Sequence, residues 1–314
     1  MKRILALTVS VIIFAAVFVG CSNDGVGQSD NINIVCTVYP VYDWLNQIIG
    51  EVNGVSVTML GANGTDIHSY QPTAADIAAI TKADLTVVIG GVSDSWVSDN
   101  VRQSGRGAVL SLLETVEPDL LHADEHDGDC EHNIAEYDEH VWLSPNMAMN
   151  ICKALGAKLS GLDSENAAAY KANLDKYLAR LAALDEEYAA EIAKSDKKAV
   201  VIADRYPFRY LMHDYSIDCT AAYDGCEAES EADFETVARL AAALDEHELN
   251  AVLIIDGSSD KLAQSVITAS NRKDCRIFTL DSMQSTTAEE LNSAEGYIEI
   301  MTANLAAIKS ALER

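Results

Sequence analysis

A 34-residue segment without glycine or proline, residues 163–196, separates two series of short apolar segments. It is rich in alanine, leucine, lysine and glutamate, and its apolar residues recur at spacings of three and four, which predicts a long amphipathic helix. At 1.5 Å per residue the helix would measure roughly 45–50 Å, more than the width of a small domain. We expect it to run along both halves of the chain; the alternative is a helical partner inside one half.

Each flanking series consists of four short apolar segments that alternate with longer, helix-like stretches. The segments are 32–38, 55–60, 85–90 and 108–112 before the long helix, and 198–203, 216–223, 251–256 and 276–280 after it. Strands spaced by helices are typical of βαβ units and mostly parallel sheets, and 314 residues favour two domains. The predicted fold is α/β, with two lobes of mostly parallel sheets, 31–162 and 197–314, joined by one long rigid helix.

The first 21 residues have the layout of a secretion signal. Lys2 and Arg3 precede a long apolar run that stops at Gly20 and Cys21. The stretch FVGC is similar to the lipobox of bacterial lipoproteins, in which the cysteine carries the lipid; a plain signal peptide is the alternative. Residues 22–30 are polar and contain glycine, as in a flexible tether. We therefore expect an extracytoplasmic protein, anchored to the cell membrane by a lipid on Cys21.

The excess of acidic residues indicates which kinds of partner this chain can bind. With 22 Lys+Arg against 49 Asp+Glu, the formal net charge is -27. Such a chain repels phosphate backbones and attracts cations, so we expect no nucleic-acid partner. Solubility outside the cell also explains this charge.

Four polar clusters with proline follow predicted strands, where ligands bind in open α/β sheets. They cover residues 37–44, 66–72, 139–145 and 203–210. His68 lies in the second cluster, and a loop histidine either ligates a transition metal or faces solvent. His140 lies where a polar tract gives way to the apolar VWLSP. If it is buried there, Asp138 or Glu139 could fix its tautomer, as carboxylates do for metal-bound histidines.

Residues 122–135 form an acidic, histidine-rich loop without a periodic apolar pattern. Such a segment cannot bury enough apolar surface to order itself. It either collects cations loosely or is a solvated insertion. We expect His140, rather than the histidines of this loop, to be the structural metal ligand.

Three motifs together resemble those of one protein family. DIHSYQPTAADI, from Asp66, resembles its first-ligand loop; DEHVWLSP, from Asp138, its second-ligand loop; and TLDSMQS, from Thr279, its acidic-ligand segment. The acidic insertion before the second ligand is similar to one that zinc-importing members carry. On these motifs the chain is identified as a member of the metal-binding, zinc and manganese class of extracytoplasmic solute-binding lipoproteins of ABC importers. The resemblance covers nearly all of the mature chain.

The resemblance implies a ligand set for the metal. His68 and His140 would be nitrogen ligands from the N-terminal lobe, and Asp281 would be an oxygen ligand from the C-terminal lobe. The metal would lie buried between the lobes, which the family joins by one long rigid helix.

One ligand position departs from the family pattern. ADRYPFRYL places Arg205 where the family usually has a histidine or glutamate, and a guanidinium stays protonated and cannot ligate a cation. Arg205 could pair with Asp281 or another carboxylate, leaving three protein ligands and a water. Alternatively, Asp204 or Asp256 completes the set, or the protein binds a different cargo that tolerates a nearby positive charge.

Two imidazoles with one or two carboxylates suit Zn²⁺, whereas Mn²⁺ prefers more oxygens and a higher coordination number. We expect a monomeric, non-enzymatic protein that captures zinc with high affinity and delivers it to an ABC permease in the membrane; manganese is the alternative cargo. A secreted zinc hydrolase is a rival hypothesis, but the sequence contains neither HExxH nor GxSxG. A surface adhesin with an incidental metal site is also compatible with these residues.

Overall fold

The computed structural model describes residues 31–104, 107–122, 137–223, 232–293 and 295–313. The chain from Asn31 onward forms one compact unit. The predicted signal peptide, Cys21 and the tether lie outside the described residues, as does the acidic loop apart from His122. Within the described part of the chain, no helix is long and apolar enough to cross a membrane.

The first lobe is built on a four-stranded parallel sheet with strand order β2-β1-β3-β4. Its strands are β1 Ile32–Cys36, β2 Val55–Met59, β3 Leu85–Val88 and β4 Ala108–Ser111. Its helices are α1 Tyr39–Ile49, α2 Ala74–Lys82, α3 Ser95–Ser104, α4 Leu112–Val116 and α5 Pro145–Leu162. In register, Ile34 of β1 pairs with Val57 of β2 on one side and Leu85 of β3 on the other.

The second lobe repeats this arrangement with the parallel strand order β6-β5-β7-β8. Its strands are β5 Ala199–Ile202, β6 Asp218–Ala221, β7 Ala251–Ile255 and β8 Arg276–Leu280. Its helices are α7 Arg209–Asp214, α8 Phe234–Glu246, α9 Lys261–Ala269 and α10 Tyr297–Leu312. The prediction of an α/β protein with two parallel-sheet lobes is confirmed.

Burial explains why the strands were visible in the sequence. Strands β3, β5 and β7 are buried along their whole length, and each is a continuous apolar or near-apolar run. Such runs are typical of parallel sheets covered on both faces. The edge strand β2 instead alternates between exposed and half-buried residues.

The long helix α6, Ala167–Ala193, has 27 residues and is therefore about 40 Å long. It contacts both lobes. Asn173 Nδ2 donates to Ile48 O of α1 at 3.1 Å, and Tyr188 OH donates to Met301 O of α10 at 2.6 Å. The predicted link between the lobes is confirmed, with bounds a few residues inside 163–196.

A buried aromatic cluster joins the two lobes beside this helix. Trp44 of α1 packs edge-on against Tyr297 of α10, with ring centroids 5.1 Å apart. Tyr297 OH donates to Trp142 O at 2.8 Å, and Trp142 Nε1 donates to Ser282 O at 3.0 Å. Trp142 lies two residues after His140, so the segment that carries His140 is anchored to the second lobe.

The turn after β3 is organised around a buried carboxylate. Asp94 is 0% exposed and accepts hydrogen bonds from Thr37 Oγ1 at 2.7 Å, Ile89 N at 2.6 Å and Gly90 N at 3.0 Å. Burial raises the pKa of Asp94 to about 6, against the lowering effect of these hydrogen bonds. Asp94 thereby fixes the position of Ser93, its neighbour in the chain.

We predict that Asp94→Ala lowers the free energy of unfolding by about 3 kcal/mol, because it leaves two buried donors and one partly buried donor without their acceptor. Urea unfolding measures this loss, and Asp94→Asn, which keeps one acceptor oxygen, should lose less. The control is Asp175→Ala, which removes an exposed pair with Lys171 on α6 and should cost under about 0.5 kcal/mol. Equal losses for Asp94→Ala and Asp175→Ala would contradict the assigned role.

Candidate metal centre

His68 and His140 face each other across 3.2 Å, measured between their Nε2 atoms. Their ring centroids are 5.3 Å apart and the ring planes are inclined by 52°. With zinc–nitrogen bonds of about 2.0–2.1 Å, this separation corresponds to an N–Zn–N angle of about 100°, close to tetrahedral. The two nitrogens are therefore spaced to bind one metal ion together.

His68 lies in a short 3₁₀ turn, Ile67–Ser69, whose first backbone groups are held by Asp66. Asp66 Oδ1 accepts a hydrogen bond from His68 N at 3.0 Å. The imidazole Nδ1 lies 2.7 Å from Ser93 Oγ, and the side chain is half-buried. The ring is thus fixed at Nδ1, with Nε2 turned to His140.

His140 is almost fully buried, at 1% exposure, and is held by one carboxylate at two points. Asp138 Oδ1 accepts the hydrogen bond from His140 N at 2.9 Å and lies 2.9 Å from His140 Nδ1. A carboxylate at Nδ1 favours the tautomer with the proton on that nitrogen, which leaves the Nε2 lone pair for a metal.

Asp281 follows β8 on the other lobe. Its Oδ1 accepts a hydrogen bond from Met283 N at 2.8 Å, and Asn304 holds its backbone, with Asn304 Oδ1 accepting from Asp281 N. Burial, and then the neighbouring charge of Asp256, raise the pKa of Asp281 to about 6. Asp256 itself accepts from Ser282 N and Oγ at 2.7 and 2.8 Å.

The segment that carries Asp281 touches both histidine segments. Gln284 O accepts a hydrogen bond from Ile67 N at 3.2 Å, next to His68, and Ser282 O accepts from Trp142 Nε1. Nevertheless, a group of three or more His, Cys, Asp or Glu side chains arranged to hold a metal does not occur among the described residues. The structure brings the two histidines together, and Asp281 as their third partner stays a prediction.

Arg205 pairs with a carboxylate from the opposite lobe. Its Nη1 donates to Asp66 Oδ2 at 2.8 Å, and its Nε lies 4.0 Å from Asp204 Oδ1. Asp204 Oδ1 also accepts from Arg205 N at 2.9 Å, and its Oδ2 accepts from Ile255 N at 3.4 Å. Of the three hypotheses for this position, the contact with Asp66 favours a carboxylate pair, whereas Asp204 and Asp256 as ligands stay untested.

Ser93 and Gly91 were not predicted from the sequence, and Glu139 has a different role from the expected one, since Asp138 is the carboxylate at His140 Nδ1. Glu139 accepts hydrogen bonds from Val92 N and, at 3.2 Å, from Ser93 N, and so holds the turn that presents Ser93 to His68. A Cβ on Gly91 would lie 2.3 Å from the Glu139 carboxyl, so this approach requires glycine. The sequence did contain one signal: both histidines end the same three-residue pattern, DIH and DEH.

At the start of the acidic loop, His122 pairs with Tyr137 through an isolated antiparallel bridge, with ring centroids 4.8 Å apart. Residues 123–136 lie outside the described part of the chain. Cation collection by this loop therefore stays a prediction.

Comparison with known proteins tests the resemblance found in the sequence. The chain is 29% identical over 320 residues to the zinc-binding lipoprotein AdcA of Streptococcus pneumoniae, covering all of this chain but 62% of that protein. It is 28% identical over 290 residues to the high-affinity zinc uptake system protein ZnuA of Bacillus subtilis, covering 91% of this chain and 89% of that one.

Among solved structures, the Zn(II)-bound ZnuA-like domain of Streptococcus pneumoniae AdcA superposes with a TM-score of 0.73 at 25% identity. The superposition covers 90% of this chain and 100% of that domain. These likenesses agree with the resemblance carried by the motifs around His68, His140 and Asp281. Residues 34–311 match the model of the zinc-uptake complex component A, periplasmic (ZnuA), and the chain therefore belongs to the ZnuA family.

Proposed function

We propose that this protein captures Zn²⁺ outside the cell with high affinity and delivers it to an ABC permease in the membrane. The observation that carries the proposal is the 3.2 Å approach of His68 Nε2 to His140 Nε2. Zinc prefers imidazole nitrogen, and both rings are already oriented through their Nδ1 atoms, so little ordering is needed on binding. Zinc here is the cargo of a transport protein.

In this proposal Asp281 supplies the third ligand, from the second lobe. Its flanking residues already bond to both histidine segments, at Ile67 and at Trp142. Burial and Asp256 disfavour the charge of the Asp281 carboxylate, and a bound cation would relieve that cost. A water completes a tetrahedral set.

The donor set also bears on the competing hypotheses. Two imidazoles and one carboxylate give a nitrogen-rich site, which favours zinc over manganese. The family is defined by zinc uptake, which favours transport over hydrolysis as the use of the metal. AdcA and the Bacillus ZnuA, by their names, bind and take up zinc, and zinc is accordingly the first cargo to test.

Attachment to the membrane would follow from Cys21. The FVGC sequence and the description of AdcA as a lipoprotein support a lipid at this residue. The polar residues 22–30 would then tether a monomer beside its permease. Release would occur when the docked permease moves one ligand away from the metal.

We predict that His68→Ala and His140→Ala each weaken zinc binding by on the order of 100-fold or more, since losing only a residue that orients a ligand typically costs 10–100-fold. Elemental analysis and calorimetry on the purified protein measure metal content and affinity, with Mn²⁺ as competitor. His247→Ala, at an exposed histidine after α8, is the matched control and should bind like the wild type. A full equivalent of tightly bound zinc in both ligand variants would refute the site.

We also predict that zinc affinity falls at least about tenfold between pH 7.5 and 5.5, because neutral imidazoles and an ionised carboxylate are required. The Asp281 carboxyl, with its pKa raised to about 6, gains its proton in this range. Titration calorimetry at the two pH values measures the change, and equal affinities would count against the proposal. Asp281→Asn should bind more weakly at pH 7.5 and depend less on pH.

In the metal-free protein, the raised pKa of Asp281 makes stability fall as the pH rises, whereas zinc affinity rises over the same range. Because the pKa of Asp281 is raised from its ordinary value of 3.8, its contribution to stability is complete below that pH. It is lost as the pH rises through about 6. The increase in Tm on adding zinc should therefore be larger at pH 7.5 than at pH 5.5.

A further inference from the structure

The turns that hold the two histidines share one feature. In each, an aspartate two residues before the histidine accepts the histidine backbone N–H through Oδ1: Asp66 for His68 at 3.0 Å, and Asp138 for His140 at 2.9 Å. The position of each imidazole therefore depends on the position of one carboxylate.

The second oxygen of each carboxylate faces an arginine of the other lobe. Arg205 Nη1 lies 2.8 Å from Asp66 Oδ2, and Arg209 Nε lies 3.7 Å from Asp138 Oδ2. The arginines are four residues apart in the segment between β5 and the first turn of α7. One short segment of the second lobe thus reaches both histidine turns of the first.

These ion pairs are shielded from water. The side chains of Arg205 and Asp66 are 22% and 16% exposed, and those of Arg209 and Asp138 are 16% and 6% exposed. Charge pairs in such surroundings interact more strongly than fully exposed pairs, and removing one partner leaves a poorly solvated charge. The Arg205–Asp66 pair, which contains a hydrogen bond, can therefore fix geometry, and the Arg209–Asp138 pair adds a longer electrostatic contact.

Further contacts hold the segment rigidly against the second turn. The Arg209 guanidinium lies over the Tyr206 ring, 5.3 Å from its centroid. Tyr210 OH donates to Asp138 O at 2.8 Å and accepts from Leu121 N at 3.2 Å. Residues 205–210 therefore contact the backbone as well as the carboxylate of the turn that carries His140.

We propose that Arg205 and Arg209 are positioning residues that set the spacing of His68 and His140 from the opposite lobe. This inference rests on the proposed function, in which the two imidazoles bind the metal. It assigns a role to Arg205, which cannot itself ligate a cation. It also gives the second lobe influence over metal release, since a movement of residues 205–209 would withdraw both guanidiniums from the carboxylates of the two turns.

The first test uses the metal-loaded protein. Arg205→Gln and Arg209→Gln should still bind one zinc but release it to a chelator at least about tenfold faster, because their histidines are less well fixed. The visible spectrum of bound Co²⁺ should change, which a general loss of stability would not cause. The matched control is Arg180→Gln, which removes a half-exposed pair between α6 and Glu299 of α10 at 3.0 Å; it should change neither readout.

Replacing Arg205 by lysine distinguishes the effect of the positive charge from that of the guanidinium geometry. Arg205→Lys keeps the positive charge and should restore part of the slow release. Wild-type release rates and Co²⁺ spectra in both glutamine variants would overturn the proposal.

A second test needs no metal and separates this proposal from the proposed function. In urea unfolding, Asp66→Asn and Arg205→Gln should be coupled, with the double variant deviating from additivity by about fivefold or more in the unfolding equilibrium constant. If the wild type bound no zinc, the proposed function would fail, while this cycle would still decide whether the pair holds the His68 turn. Additive effects would overturn the positioning role.

Discussion

The approach of two imidazole nitrogens to 3.2 Å is the constraint that the surrounding structure serves. Two uncharged rings gain nothing from such closeness unless a proton or a cation lies between them. The chain holds them there with separate partners at Nδ1, Ser93 Oγ for His68 and Asp138 for His140. Ser93 depends in turn on buried Asp94 and on Glu139, so the turn after β3 and the segment before α5 act together. These segments meet because parallel strands end at a common edge.

Much of the fold could be predicted from the sequence, for a physical reason. Parallel strands covered on both faces must be apolar almost throughout, so they stand out as short uninterrupted runs, and a long helix shows itself by lacking glycine and proline. The errors are local. The segment 216–223 was predicted as a strand, but β6 spans only Asp218–Ala221. Ser216 has a φ of 53°, which is incompatible with an extended strand, and apolar patterning does not report backbone angles.

Less of the site could be predicted. His68 and His140 could be nominated because each lies in a polar cluster that follows a predicted strand, and because the motifs around them resemble the family's two ligand loops. The pairing of Arg205 with Asp66, 139 positions away, could not be predicted. A sequence pattern does not specify which carboxylate of the other lobe a guanidinium contacts. From the sequence alone, an arginine at a position where relatives usually place a ligand indicated only a missing metal ligand. Its contact with Asp66 makes it part of the support for His68 instead.

Zinc capture at this site requires both imidazoles to bind the same zinc ion. Zinc K-edge X-ray absorption on the zinc-loaded protein measures this most directly, since imidazole rings give a characteristic outer-shell scattering. We predict two imidazoles, with zinc–nitrogen distances of about 2.0–2.1 Å, and oxygen in the remaining positions. A spectrum that fits one imidazole or none, or a shell containing sulfur, would contradict the account.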